Sequence, residues 1–297
     1  MTNPLVSIAL CTYNGDKFLE EQLDSLINQT YQNIEIIIID DFSSDQTIEI
    51  IKRYVAKFET IHLHQNKVNL GYVKNFEKAI GLCNGEFIAL CDQDDIWAHE
   101  KINLLFNNIE NNALIYHDSE FIDGNGTPLR KNLSERLNMY EGSSSCPFFF
   151  YNSVSGHSIM FRKSLIGSIL PFNENYYHDW QIAIIATAHG GIKYLNQTLV
   201  KYRQHELSNT DFLRIKTKRA KKNKLINLKW LKFVHSKLKN DFYLAEIISC
   251  LNDYNKVKIV SRIKLFQILL KNYDLLFYIK KKHPFFKKFK AFKISFF

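Results

Sequence analysis

Gly85–Trp97 reads GEFIALCDQDDIW, and this stretch decides the fold. Phe87–Cys91 is a short, continuous apolar run, the mark of a strand buried on both faces. Asp92, Asp94 and Asp95 follow at once, three carboxylates within four residues. Like charges packed this closely are unfavourable unless a cation neutralises them. Hard divalent ions prefer carboxylate oxygens, and Mg²⁺ commonly bridges carboxylates to substrate phosphates. Asp-x-Asp at a strand end therefore suggests a metal–diphosphate clamp. It equally fits a helix start, because acidic residues favour helix N-termini.

The same alternation continues on both sides. Leu5–Cys11 and Ile34–Ile39 are apolar, strand-like runs. Phe18, Leu19, Gln22, Leu23, Leu26 and Ile27 follow helical spacing, as do Ile48, Ile51, Val55 and Phe58. Thr60–His64 reads as a short strand. Val73, Phe76, Ile80 and Cys83 mark a helix that Asn84-Gly85 would end. Ile102, Leu105, Phe106 and Ile109 give the next helix, and Leu114–His117 the next strand. Continuous apolar strands alternating with amphipathic helices predict an α/β fold, a mostly parallel sheet with helices on both faces.

Ligands of such a sheet bind beyond the carboxyl ends of its strands. Three polar clusters fall there: Thr12-Tyr13-Asn14-Gly15, Asp40-Asp41, and Asp92 to Asp95. An Asp40 or Asp41 carboxylate suits a pyrimidine N3–H or a ribose hydroxyl, and equally a turn or helix cap.

Beyond residue 120 the pattern loosens. Asp123-Gly124-Asn125-Gly126 predicts a turn between hairpin strands, and 132–153, rich in Ser and aromatics, reads as a loop. Ser158–Phe161 is strand-like, Trp180–Ala188 helical, and Ile192–Leu195 and Leu199–Arg203 read as two strands. Asp179 stands between His178 and Trp180 just before that helix. Aromatic walls desolvate a carboxylate and raise its pKa toward the range of a general base; a helix cap is the competing reading. Trp97 or Trp180 could offer an apolar platform to a sugar face. Arg203 in Tyr-Arg-Gln-His has the fork that suits phosphate oxygens.

The ordered set VSIALCTYNG (Val6–Gly15), LINQTY (Leu26–Tyr31), IEIIIIDDFSSDQT (Ile34–Thr47) and GEFIALCDQDDIW resembles family-2 inverting glycosyltransferases of the GT-A fold. HDWQIAI (His178–Ile184) and YRQH (Tyr202–His205) resemble the branch containing bacterial rhamnosyltransferases, and the likeness covers roughly residues 4–210. It implies that Tyr13 lines the nucleobase with Cys11 and Asn14 nearby, that Asp41 bonds the base, and that Asp40 supports the turn. It places Lys74 and Asn75 near the ribose and diphosphate, Asp92 on the ribose, and Asp94 with His205 at a divalent metal, Mg²⁺ or Mn²⁺. Asp179 would be the catalytic base. The implied reaction moves rhamnose or a hexose from a dTDP- or UDP-sugar to a saccharide or lipid-linked acceptor of a cell-surface polysaccharide.

Composition sets the remaining bounds. The 297 residues are 46% hydrophobic, enough for a sizeable core. Five scattered cysteines form no CxxC, which fits a reducing compartment and disfavours a zinc site. Residues 1–210 hold 16 Lys+Arg against 25 Asp+Glu, whereas 211–297 hold 23 against 5. The chain is thus an acidic body, 1–210, with a basic helical extension, 211–297. Lys mixed with Phe, Leu and Trp, as in KKNKLINLKWLKF (Lys221–Phe233) and KKKHPFFKKFKAF (Lys280–Phe292), suits an anionic membrane surface. A solvated helical appendage and a nucleic-acid-binding tail are the competing readings; no nucleic-acid motif is present, and the acidic body argues against the latter. With no signal-like start and no apolar run near the ~20 residues of a membrane span, the expected location is cytoplasmic, peripheral on the inner face of the plasma membrane. A catalytically inactive nucleotide-sugar-binding scaffold is the alternative to an enzyme.

Overall fold

A computed structural model describes residues 3–206, 227–238, 241–253 and 259–296. The N-terminal half is built as the pattern predicts. Strands β1 (Val6–Thr12), β2 (Ile34–Asp40), β3 (Ile61–Gln65) and β4 (Phe87–Cys91) run parallel, with helices α1 (Asp16–Ile27), α2 (Thr47–Val55) and α3 (Tyr72–Leu82) as crossovers. Ile36–Ile39 of β2 are at most 3% exposed, as two covered sheet faces require. Each fully buried Ile contributes about 1.5–3 kcal/mol of apolar transfer free energy.

The sheet continues with β5 (Ile96–Trp97), β6 (Leu114–Ile122), β7 (Pro128–Asn132), β8 (Ile159–Arg162) and β9 (Ile192–Arg203). Its order is β3-β2-β1-β4-β8-β6-β9-β5, with β7 paired to β6. Strand β8 is antiparallel to both β4 and β6, so β6 and β9 return to the direction of β1–β4. Helix α4 (Lys101–Asn108) follows the acidic cluster, and α5 (Ile166–Ile169) and α6 (His178–Ala188) precede β9.

Three local readings change. Ile192–Arg203 is one strand, because β9 stays paired with β6 through two shifts of register. Gly85 is not held by helix-end geometry: a Cβ there would lie 2.6 Å from the Leu5 carbonyl oxygen, so close backbone approach demands glycine. The 132–153 stretch is anchored rather than loose. Phe148 and Phe149 are buried, and their carbonyl oxygens accept from the indoles of Trp180 (2.7 Å) and Trp230 (3.1 Å). Aromatic side chains hidden under neighbouring helices fix a segment that has no periodicity of its own.

The C-terminal helices are α7 (Leu228–Lys237), α8 (Phe242–Asp253), α9 (Ile259–Lys271), α10 (Tyr273–Leu276) and α11 (Pro284–Phe296). Trp230 of α7 stacks near Trp180 of α6, ring centroids 4.5 Å apart, and the buried apolar cluster runs from the sheet through to Ile294. Lys221–Ile226 of the first basic motif lie outside the described residues. No described helix is long and apolar enough to cross a membrane.

Candidate active site

Topology brings the three polar clusters to one end of the sheet. Strand β1 lies between β2 and β4, so the loops after all three strands are neighbours. Tyr13 is held by Gln93, whose Oε1 accepts the Tyr13 N–H (2.8 Å) and whose Nε2 donates to its carbonyl oxygen (3.1 Å). Asn14, at a left-handed φ of 46°, accepts the Ser44 N–H on Oδ1 (2.8 Å) and donates its own N–H to Ser43 Oγ (2.9 Å). Asp40 is buried and accepts from Thr12 Oγ1 (2.9 Å) and the Ser43 N–H (2.9 Å). The first two loops are thus stitched together by side chains. The exposed faces they offer are Tyr13, 48% exposed, and Phe42, 57% exposed.

Asp41 is 2% exposed. Its Oδ1 accepts from Asn66 Nδ2 and the Leu70 N–H, and its Oδ2 from the Gly71 N–H, each at 2.8 Å. It fixes the start of α3 and retains acceptor capacity on Oδ2. Asn75 is 1% exposed, donating to the Ile39 carbonyl oxygen and accepting from Asn66. The ribose–diphosphate role expected of it is therefore corrected: its amide ties α3 to the end of β2. Lys74 lies at the rim, paired with Glu77 at 2.9 Å and near Glu174 at 3.9 Å.

The carboxylates lie close enough for their charges to act on one another. The Cys11 thiol is pushed up by burial, then by the charges of Asp92 and Asp41. Asp92, its side chain 38% exposed, is raised by partial desolvation, then by Asp94 and Asp179. Asp94 Oδ2 lies 2.8 Å from His205 Nε2, and the two side chains are 19% and 16% exposed, still reachable from solvent. The charges of Asp41 and Asp92 thus both reach Cys11, and those of Asp94 and Asp179 both reach Asp92.

Asp179 lies in the first turn of α6 but is held by groups outside the helix. Asn152 Nδ2 donates to Oδ1 and the Gly156 N–H to Oδ2, both at 3.2 Å. Burial pushes its carboxyl up to about 7, against the lowering effect of the Trp180 and Gly156 backbone N–H groups. Gly156 permits the approach: a Cβ there would meet His178 Nε2 at 3.2 Å and the Asp179 Cβ at 4.0 Å. His178 is stacked on Phe76, centroids 4.3 Å apart, and burial drives its imidazole down to about 3. It is a neutral ring that seats α6 on α3.

Three further expectations are corrected. Arg203 is 2% exposed, with its guanidinium bonded to Glu21 and to the Asp94 carbonyl oxygen (2.8 Å) and 4.6 Å over the Phe18 ring. Its fork clamps the Asp94 loop and is not offered to a phosphate. Trp97 is 2% exposed and lies beneath the acidic cluster, so it presents no platform. Trp180 turns its indole toward Trp230 and Phe148. The exposed aromatics near Asp179 are Tyr72 (37%) and Tyr177 (48%), 6.4 Å apart. The Tyr72 hydroxyl is pushed up to about 12 by burial, then by Tyr177 and Asp179.

Sequence reasoning missed two buried groups. Lys101 is fully buried, donates to the His157 carbonyl oxygen at 2.6 Å, and is driven down to about 7 by burial, with Cys91, Asp95 and Asp92 opposing. His157 bonds Ser119 Oγ at 2.8 Å and faces Asp95 Oδ2 at 3.7 Å and Asp92 Oδ2 at 3.9 Å. Asp92, Asp95 and His157 place three possible ligand atoms within 4.8 Å of one another. A lysine on an otherwise amphipathic helix and a histidine in Ser-Gly-His-Ser carried no periodic signal of burial.

Comparison with known proteins identifies the family and the fold. Residues 7–169 match the family model for glycosyl transferase family 2. An uncharacterized glycosyltransferase of Methanocaldococcus jannaschii is 32% identical over 251 residues, covering 82% of this chain and 83% of the relative. The dTDP-rhamnosyl transferase RfbG of Shigella flexneri is 31% identical over 219 residues, covering 66% of this chain and 72% of the relative. Among solved structures, S. aureus TarS in complex with UDP-GlcNAc superposes with a TM-score of 0.61 at 17% identity, covering 92% of this chain and 82% of that one. Sheet order, strand-end site and these likenesses together define a glycosyltransferase with the GT-A architecture. The chain belongs to glycosyl transferase family 2.

Proposed function

We propose that this glycosyltransferase is metal-dependent and inverting. It moves a rhamnosyl or hexosyl unit from a dTDP- or UDP-sugar to a hydroxyl of a cell-surface polysaccharide or lipid-linked oligosaccharide. One observation carries the reading: Asp179, aimed by Asn152 and the Gly156 N–H, is close enough to Asp92 for its charge to act there, and Asp94 Oδ2 lies 2.8 Å from His205 Nε2. A base on the acceptor side and a diphosphate anchor on the donor side then flank one sugar.

The base stacks on Tyr13, with Asp41 Oδ2 and Cys11 at its edge, and Asp92 bonds the ribose. Asn152 and the Gly156 N–H aim the Asp179 carboxylate. Asp179 takes the acceptor proton as that oxygen attacks C1 from the side opposite the leaving diphosphate. Tyr72 and Tyr177 offer apolar ring faces to the acceptor sugar.

Asp94 and His205 fit Mg²⁺ or Mn²⁺: a carboxylate oxygen and an imidazole nitrogen meet at a reachable surface, leaving other positions for phosphate oxygens and water. A bound ion supplies neutralisation of the charge that develops on the leaving diphosphate. The Asp92–Asp95–His157 set fits less well. Asp95 and His157 are buried, and the Lys101 amine already feels the charges of Asp95 and Asp92.

The S. flexneri rhamnosyl transferase supports dTDP-rhamnose as a donor, and the TarS complex supports a UDP-sugar. The test is a donor panel, dTDP-rhamnose and UDP-hexoses with and without Mg²⁺ or Mn²⁺. It reads protection from thermal unfolding and release of nucleoside diphosphate. Metal-dependent protection and turnover by one donor is the expected result. No protection by any nucleotide sugar would overturn the donor assignment; binding without turnover would indicate a scaffold.

A further inference from the structure

Helix α11 exposes the residues a helix usually hides. Ala291, Ile294 and Ser295 face inward, and α11 packs on α9 through that side. On the opposite side Phe285, Phe289 and Phe292 are 66%, 55% and 39% exposed. Their i, i+4, i+7 spacing makes one continuous stripe. Phe289 and Phe292 stack at 6.3 Å, Phe292 and Phe296 lie 4.9 Å apart, and Phe286 is 57% exposed beside them. The patch extends onto α9. Phe266 contacts Phe292 and Phe296 at 5.9 and 6.0 Å, and Ile259, Val260 and Ile263 are 66%, 72% and 45% exposed.

Charge identifies what covers it. Seven lysines lie between positions 280 and 293, and no acidic residue follows Asp274. Lys281, Lys282, Lys288 and Lys293 are exposed around the stripe. A symmetric pairing of two copies through this face would set like charges against each other. An anionic bilayer instead accepts aromatic rings at the headgroup–acyl boundary and pairs the lysines with lipid phosphates.

We propose that the α9–α11 face docks the protein on an anionic lipid surface, with the Phe stripe inserted in the interface plane. The inner side of α11 ties this surface to the site. Lys290 and Lys280 place their ammonium groups 4.4 and 5.0 Å from the Tyr151 ring centroid. Asn152, the next residue, donates to Asp179. The docking face is thereby linked through Tyr151 and Asn152 to Asp179. The docking itself does not depend on glycosyl transfer.

The experiment is co-sedimentation of the full chain with vesicles of phosphatidylcholine alone or mixed with phosphatidylglycerol, without nucleotide sugar. Binding to the anionic vesicles only, weakened by salt, is expected. F285S/F289S/F292S should weaken it by about tenfold or more, with donor protection unchanged because the rings lie outside the cleft. A second variant, Lys281, Lys282, Lys288 and Lys293→Gln, should abolish the preference for anionic lipid and does not rely on the serine variant folding. Wild-type protein that ignores anionic vesicles, or variants that bind as well as wild type, would overturn the proposal. So would a wild-type dimer that the serine variant dissolves while neither protein binds vesicles.

Discussion

The Lys101 ammonium lies 3.2 Å from the centroid of the Trp97 ring, directly under the loop that carries Asp92, Asp94 and Asp95. Trp97 closes the short strand β5 and Lys101 opens α4, and both side chains are buried. The indole face and the nearby carboxylates stabilise a cation that burial opposes. The acidic loop thus stands next to a buried amine whose charged form burial disfavours and the carboxylates favour.

Lys101→Met tests this arrangement. Asp95 is buried and its Oδ2 has no hydrogen-bond partner among the described residues, so the mutation removes the Lys101 charge that opposes its desolvation. Denaturant unfolding should show a loss of about 2–4 kcal/mol. An unchanged midpoint would mean that the carboxylates do not depend on Lys101.

Asp179→Asn should lower turnover by about 10²–10⁴-fold, with donor protection retained. For the wild type, kcat/KM should rise tenfold per pH unit below about 7 and level off above it, because the base works deprotonated. Stability has the opposite sign. A carboxyl raised in the folded state from its ordinary 3.8 to about 7 loses stabilisation across that interval as pH rises. Asp179→Asn should therefore melt higher than wild type at pH 8 and gain nothing at pH 4. Equal midpoints at pH 8 would show that Asp179 is not desolvated.

His205→Ala and Asp94→Asn should each raise the metal concentration needed for half-maximal donor protection by about 10–100-fold. Chelation should abolish wild-type protection. If instead His157→Gln alone shifts the metal requirement, the buried Asp92–Asp95–His157 set holds the ion.

Arg203→Ala separates a clamp from a phosphate ligand. Loss of the bonds to Glu21 and the Asp94 carbonyl oxygen should cost about 2–3 kcal/mol of stability. A phosphate ligand would lose donor affinity with an unchanged melting temperature, and that outcome would reverse the assignment.

Tyr177→Ala should reduce kcat/KM for the acceptor by about tenfold, while donor hydrolysis by water stays the same. Tyr177 is exposed and close to Tyr72, so the fold should tolerate the change. An equal effect on hydrolysis would place the ring on the donor side.

The sequence alone determined the parallel α/β half. Ile36–Ile39 and Phe87–Cys91 can only be strands covered on both faces, and the polar residues that follow them must lie at one sheet end. It also offered Asp92 and Asp94 as candidates directly after an apolar strand and Asp179 directly before an apolar helix, with His205 added by the family resemblance. Tertiary structure decided which polar groups face the cleft. Arg203 and Asn75 look like ligand donors in sequence, but their bonding capacity is consumed by Glu21, Asn66 and main-chain oxygens, contacts between residues 9 to 182 positions apart. Lys101 and His157 were invisible for the converse reason. Their burial comes from strands and helices that meet only in the folded chain, and local periodicity carries no record of that meeting.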